Sequence, residues 1–516
     1  MFASNTLRSM SQLKTAGIAA LFLLTSCGGE QIAGIQGSGA TTPADASGTA
    51  VGPITAFGSI FVNGVEYSTS GAAIHIDGQS GTEAQLQVGQ IVTVKGQVSD
   101  DGTTGSATEV SFTADARGAI AQLDTGGGTF IVLGQTVQVT DTTVFGDGIQ
   151  PAAIEGLHSG DSVEVSAFTD ASGNLVASRI ELKSSAESLQ VKGAIAGLDT
   201  NTQTFRINDL TVSYNGIAPD GVLANGAVVS VEGSATSANG SLQASSVGVV
   251  PSAAGAANER GDVQGLITSF TSQTDFTVDG QRVATDANTQ LILHDQTLGV
   301  NLLVKVKGTF NATGVLVASK VEAKPQGSGN GGNNAEGNTG GNGNGNSNGD
   351  GNANARDGNV NQNAASADIV RGLVDSVSGN ALKVLGVNVT ATADTTFNDK
   401  SQQHLRTFGM KDMRAGDYVE ARGAADASNE IHASVIERDK EENRSYLQGE
   451  VAGVATPEFS VLGIRVTTDS QTHFIGLQND PKGTDEFFAE VARHVVKVRG
   501  TFSAGVLLAD QVQIKE

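Results

Sequence analysis

The chain has 516 residues, enough for several domains of the common size of about 100–150 residues. Gly supplies 67 residues and Pro only 8, Trp is absent, Cys occurs once, and charged residues make up 16%. This composition excludes a disulfide scaffold, a zinc-cluster protein, a coiled coil and a basic nucleic-acid binder, and the formal charge of −23 disfavours DNA, RNA and anionic lipid surfaces as partners.

Residues 1–26 read as a signal peptide. Arg8 and Lys14 give a positive start, and the run from Ile18 to Leu24 is apolar but too short to span a bilayer. At its end, Leu24-Thr25-Ser26-Cys27 resembles the lipobox of bacterial lipoproteins, in which the cysteine is acylated and becomes the first mature residue. Cys27 is the chain's one cysteine and has no disulfide partner, so it is the expected lipidation site and the contact with the membrane. Several acyl chains, at ~0.8 kcal/mol per buried CH₂, hold a protein on a membrane without a basic patch. Gly28 rather than Asp after the cysteine implies, by the sorting rule of that class, the outer membrane, with the periplasmic or surface face left open. Residues 27–50 are expected as a flexible spacer.

An internal repeat follows. Each copy opens with Gly and a β-branched residue two positions on: Gly52/Ile54, Gly118/Ile120, Gly193/Ile195, Gly265/Ile267, Gly372/Val374 and Gly449/Val451. A second strand runs into a tight turn, as in Phe130 to Gly134, Phe276 to Gly280, Leu382 to Gly386 and Phe459 to Gly463. The third strand is marked by Val137, Val212, Val283, Val389 and Val466. The fourth carries Val92/Val94, Val163/Val165, Val229/Val231, Val304/Val306, Val419/Ala421 and Val496/Val498, and Gly89, Gly160, Gly226 and Gly416 launch it in four copies. The fifth has Ala107/Val110, Ala177/Ile180, Ala244/Val247, Ala318/Val321, Ala433/Ile436 and Ala509/Val512.

Period-2 alternation, β-branched residues and glycine turns predict five strands in each unit of about 65 residues. Such a unit buries itself by closing into a barrel, which removes its edges. A helix is expected from Thr484 to Arg493, with a shorter version from Pro151 to Leu157. A helix after the third of five strands is the OB order, with an SH3-like or other small barrel as the runner-up. The fold expected is all-β: six tandem five-stranded OB-like small β-barrels joined by short connections and one Gly/Asn-rich disordered linker. The boundaries are 51–114, 115–184, 185–252 and 260–325 for the first four barrels, 326–366 for the linker, and 367–440 and 445–516 for the last two. Neighbours joined by short connections, the second with the third and the fifth with the sixth, are expected to pack on each other. The linker makes the chain four barrels, a joint, then two barrels.

The stretches Gly118-Ala-Ile120, Thr129 to Val137, Gly160-Asp-Ser-Val-Glu-Val165 and Ala177-Ser-Arg-Ile180 resemble a bacterial repeat family, a domain of unknown function with an OB-like small barrel found in tandem in secreted and lipid-anchored proteins. The resemblance covers about residues 51–324 and 367–516. Asp209 replaces the turn Gly in the third copy and Asn301 the launching Gly in the fourth, and either residue serves in a turn. The resemblance implies a fold and carries over no activity or site residues.

No catalytic, cofactor or metal site emerges from the residues. His75, His158, His294, His404, His432, His473 and His494 share no metal-ligand spacing and no repeat position. The acidic pairs Asp100-Asp101 and Glu441-Glu442, and the recurring turns at Asp124 and Asp199, are explained by turn chemistry without catalysis or calcium. Phe130, Phe205, Phe276 and Phe459 share one repeat position, Phe145, Phe397 and Phe474 another, and Phe168, Phe310 and Phe502 follow the fourth strand. Repetition at inward positions reads as barrel core rather than a stacking platform. The functional expectation is a non-catalytic, lipid-anchored envelope protein, an extended multi-barrel scaffold or interaction arm for a protein or glycan partner, with no nucleic acid. The alternative is a glycan- or peptide-binding lipoprotein using the barrel faces. An enzyme would need a buried carboxylate with a strongly perturbed pKa in a cleft.

Overall fold

The computed structural model describes residues 46–515 apart from 58, 185–187, 237–239, 251–254, 295, 325–366 and 478–479. The signal segment, Cys27, most of the expected spacer and the Gly/Asn-rich linker lie outside the described residues.

Barrel one shows how each repeat closes. Its five strands are Ala46–Ala56, Ile60–Val62, Val65–Ser68, Ile91–Val98 and Thr104–Phe112. The first pairs with the second, the second with the third, the third runs parallel to the fifth, the fifth pairs with the fourth, and the fourth returns to the first. This ring is the OB order, so the SH3-like alternative is set aside. The same ring of pairings recurs in barrel two, barrel four, barrel five and barrel six. Barrel three follows it with a first strand broken at Ile195 into Leu189–Ala194 and Ala196–Asp199. The expected helix runs Thr484–Glu490, capped by the Glu486 carboxylate accepting from the Gly483 N–H at 3.1 Å, and the Pro151 to Leu157 stretch forms only a 3₁₀ turn at Ile154–Gly156.

The repeated glycine of the first strand and the turn between the second and third strands form one device. A Cβ on Gly118, Gly372 or Gly449 would meet Leu133 Cγ at 3.2 Å, Leu385 Cδ2 at 2.5 Å or Leu462 Cγ at 3.3 Å. Those leucines are the first turn residues, held at φ of 50–51°. In barrels one and four the turn residue facing the glycine is Asn63 or Asp279. Two central residues at positive φ match the strand twist in a two-residue hairpin, at a backbone cost that leucine bears because its side chain is packed. Asn301, which replaces the launching glycine, takes the same left-handed conformation at φ 65°.

The first strand also joins barrels in pairs. Ile369 to Arg371 of barrel five pairs with Tyr446 to Gln448 of barrel six, and Ala116 and Arg117 of barrel two pair with Val191 and Gln190 of barrel three. These are the neighbours with short connections. The third pairing was not expected: Gly48 to Val51 of barrel one runs parallel to Arg260 to Val263 of barrel four. The first strand therefore begins at Ala46, inside the stretch expected as spacer, because its early residues have both barrel four and the Val94 to Val98 segment to bond with.

All described barrels fall in one compact unit. Barrels five and six do not stand apart from the first four: Lys305 of barrel four meets Asp394 of barrel five at 2.7 Å, and Arg422 of barrel five donates to the carbonyls of Asp141 and Thr143 in barrel two at 2.9 and 3.0 Å. The expected arm with distal barrels on a joint is replaced by a packed body. Composition marks where the first four barrels end and the last two begin, whereas only the folded outer faces reveal which barrels dock on each other.

Candidate functional site

With the exception of Phe168, the repeated phenylalanines go where repetition placed them. Phe130, Phe205, Phe276 and Phe459 are buried in barrel cores, as are Phe145, Phe397 and Phe474. Phe310 also fills a core, but Phe168 leaves its barrel and packs with Val176, Leu266 and Leu303 between barrels two and four. Phe168 stands five residues after Val163, whereas Phe310 and Phe502 stand six after Val304 and Val496, and along a strand that difference of one residue puts it on the opposite face.

The histidines do not converge. His158, His404 and His432 sit 3.5–3.7 Å from Asp161, Asp147 and Asp426 in separate places. Among the described residues no group of three or more His, Cys, Asp or Glu could hold a metal ion. The acidic turns are satisfied within the turns themselves: Asp124 accepts from the Gly127 N–H, Asp199 from the Asn201 and Thr202 N–H groups, and Asp101 from the Ser99 hydroxyl and the Thr103 N–H. Asp100 pairs with Arg260, and Glu442 with Arg371.

The chemistry-bearing groups that composition did not reveal lie in the seams between barrels. In the seam of barrels one, two and three, Arg117 reaches Asp77 at 2.7 Å and Glu164 at 3.1 Å and donates to Gln190 Oε1 at 2.7 Å. Gln190 in turn donates to Asp77 at 2.8 Å, so one guanidinium ties three barrels. Between barrels two and three, Lys192 meets Asp115 at 2.6 Å, close to Asp279 of barrel four. At the four–five seam Asp394 is held by two ammonium groups, Lys305 and Lys324, each at 2.7 Å. In barrel five the buried Glu437 bonds Arg422 and, at 2.8 Å, Lys400. Burial alone would raise the Glu437 pKa, but Arg422 and Lys400 outweigh it and hold the carboxyl at about 2.

These charges had a sequence signal. Arg117, Lys192 and Arg371 each precede the repeat glycine, and Glu164, Lys305 and Glu420 stand between the two inward residues of the fourth strand. A strand residue between two core residues points outward. A charge there is ordinary at a surface; repeated on barrels too small to stand alone, it marks a face that another barrel covers.

A cleft of about 140 Å³ lies among barrels one, two and five, lined by Phe57, Asp147, Arg179, Asp399, His404 and Arg406 among others. Its charges are already engaged. Arg406 lies over the Phe57 ring at 3.8 Å and donates to the Glu83 carbonyl, Asp399 pairs with Arg438 at 2.7 Å, and Arg179 donates to the Val88 carbonyl at 3.1 Å. The Asp399 carboxyl, opposed by burial but bonded by Arg438 and Ser401, is held at about 2 and has no proton to give.

Burial raises the pKa of Asp141, Asp279, Asp368 and Asp439, all of which lie in seams. Asp262, also raised by burial, lines a second cavity, of about 250 Å³, between barrels one and four. Its ionic partner is Lys307 at 3.1 Å, and neither a histidine nor another carboxylate lines that cavity.

A family model described as a domain of unknown function, DUF5666, matches the chain at residues 51–111, 117–181, 184–248, 264–322, 371–437 and 448–513. These segments coincide with the six barrels. No curated protein matches the chain.

Proposed function

The chain belongs to the DUF5666 family, and from that premise we propose that it is a non-catalytic, lipid-anchored protein of the bacterial cell envelope, held at the outer membrane through Cys27 and acting as a multi-barrel interaction scaffold. The observation that carries the anchoring is the Leu24-Thr25-Ser26-Cys27 sequence behind a short apolar run, with Cys27 the one cysteine of the chain. The non-catalytic reading is supported by the way charged side chains are used: the buried acids and bases pair with one another across seams and bind barrel to barrel. Such pairs fix a unique arrangement more than they add stability. A protein whose polar groups lock its own repeats together presents a rigid outer surface, which suits a scaffold. A second reading, in which a barrel face binds a glycan or a peptide, has the cavity beside Asp262 in its favour.

Cys27→Ala tests the anchoring. The variant should leave the membrane fraction for the soluble one, and continued membrane association would overturn the proposal.

A further inference from the structure

Barrel one departs from the other five at the end that faces barrel four. Where the third strand meets the fifth, the paired residues are Val137 with Leu175, Val212 with Leu242, Val283 with Leu316, Val389 with Ile431 and Val466 with Leu507. In barrel one the pair is Tyr67 with Gly105. The bulk has moved from the fifth strand to the third, and a Cβ on Gly105 would lie 2.9 Å from the Tyr67 ring. The neighbouring fourth-strand residue is Val98, where barrels four and six have Phe310 and Phe502 and barrels two and five have Thr169 and Ala425. Two positions that help close a barrel end in the other five are thus altered together, and the 250 Å³ cavity lies there, with Tyr67 and Val98 in its wall.

The cavity brings together complementary groups. Asp262 Oδ1 is buried and has no hydrogen-bond partner among the described residues, while Oδ2 faces Lys307. Asp262 is fixed in place because its carbonyl accepts from the Asn63 side chain at 2.9 Å. Arg260 is tied to Asp100 and to the Ser99 carbonyl at 3.1 Å each, and the exposed Thr309 and Ser319 stand at the mouth. Val65, Val98 and the Tyr67 ring supply an apolar wall.

We propose that this cavity is a binding site for a single sugar-sized ring bearing hydroxyl groups, an occupant that deepens the glycan reading and is independent of the lipid anchor. A buried carboxylate oxygen without a partner costs free energy until a donor reaches it. An apolar ligand leaves that cost standing, and an anion meets Asp262 with Lys307 and Arg260 already paired to carboxylates. A second ammonium would crowd Lys307, so a neutral hydroxyl is the donor that fits. Lys307 and the Thr309 hydroxyl donate to the other ring oxygens, Ser319, whose hydroxyl donates to the Lys307 carbonyl at 3.1 Å, accepts from a ring hydroxyl, and the apolar wall takes the C–H face. The volume exceeds that of an engineered cavity of about 150 Å³ that accepts benzene, yet falls below the pockets of about 300 Å³ and more that hold drug-sized ligands.

The test is saturation-transfer NMR on the full chain in detergent, with glucose, galactose and N-acetylglucosamine as probes. At least one sugar should show transfer, and the signal should persist in Cys27→Ala, which separates this site from the anchoring claim. The double variant Tyr67→Val/Gly105→Leu installs the pair that closes four of the other barrels, and Asp262→Asn keeps shape while removing the charge. Each should weaken binding about tenfold or more while circular dichroism shows the fold intact. No transfer from any of the three sugars, or transfer unchanged in both variants, overturns the proposal.

Discussion

Asp439 shows how a seam charge responds to pH. Burial and the neighbouring Glu437 and Glu420 raise its carboxyl to about 6, and Arg371, 3.3 Å away, does not compensate. An unfolded aspartate titrates near pH 3.9. The folded state therefore binds the proton more tightly, and the stability this contributes is present below about pH 4 and lost as pH rises toward 6. Asp439→Asn never ionises. It should stabilise the protein at pH 7 by on the order of 1–3 kcal/mol and leave it nearly unchanged at pH 4. Thermal melts at the two pH values check this, and an equal shift at both would refute it. The sequence did not disclose Asp439, because its neighbours Arg371, Glu420 and Glu437 come from three different strands. The inward phenylalanines were legible because each occurs at the same place in several copies.

At the scale of elements, strands, turns and strand order were readable because the period-2 pattern repeats in six copies, and errors in one copy are corrected by the others. The role of the repeat glycine was less visible. It reads as a turn or spacing residue, yet in barrels two, five and six it makes room for the turn leucine of the next hairpin. In Gly372→Ala the new methyl would sit 2.5 Å from Leu385, and overpacking of that kind costs about 1–3 kcal/mol. Adding Leu385→Gly removes the clash and should return part of that loss. Denaturant midpoints of the two single variants and the double variant measure it; simple additivity would mean that the glycine has another purpose. The same positions explain why barrel three differs. There Gly193 faces Ile207 rather than the turn residue, and Asn208 instead bonds Gln135 of barrel two at 2.7 Å.

At the scale of the molecule, sequence proximity determined two of the three barrel pairs but not the third. The one–four pairing joins strands about 210 residues apart, and no local pattern announces it. The docking of barrels five and six on the first four was hidden for the same reason, since Asp394 meets Lys305 across the Gly/Asn-rich stretch. Six barrels thus form one body, locked by buried ion pairs at their seams. Introducing a protease site within residues 326–366, cutting it, and running native gel filtration with light scattering tests this directly. The two pieces should co-elute as one particle with the mass of the intact chain. Elution as two separate species of about four and two barrels would mean that the barrels do not form one body.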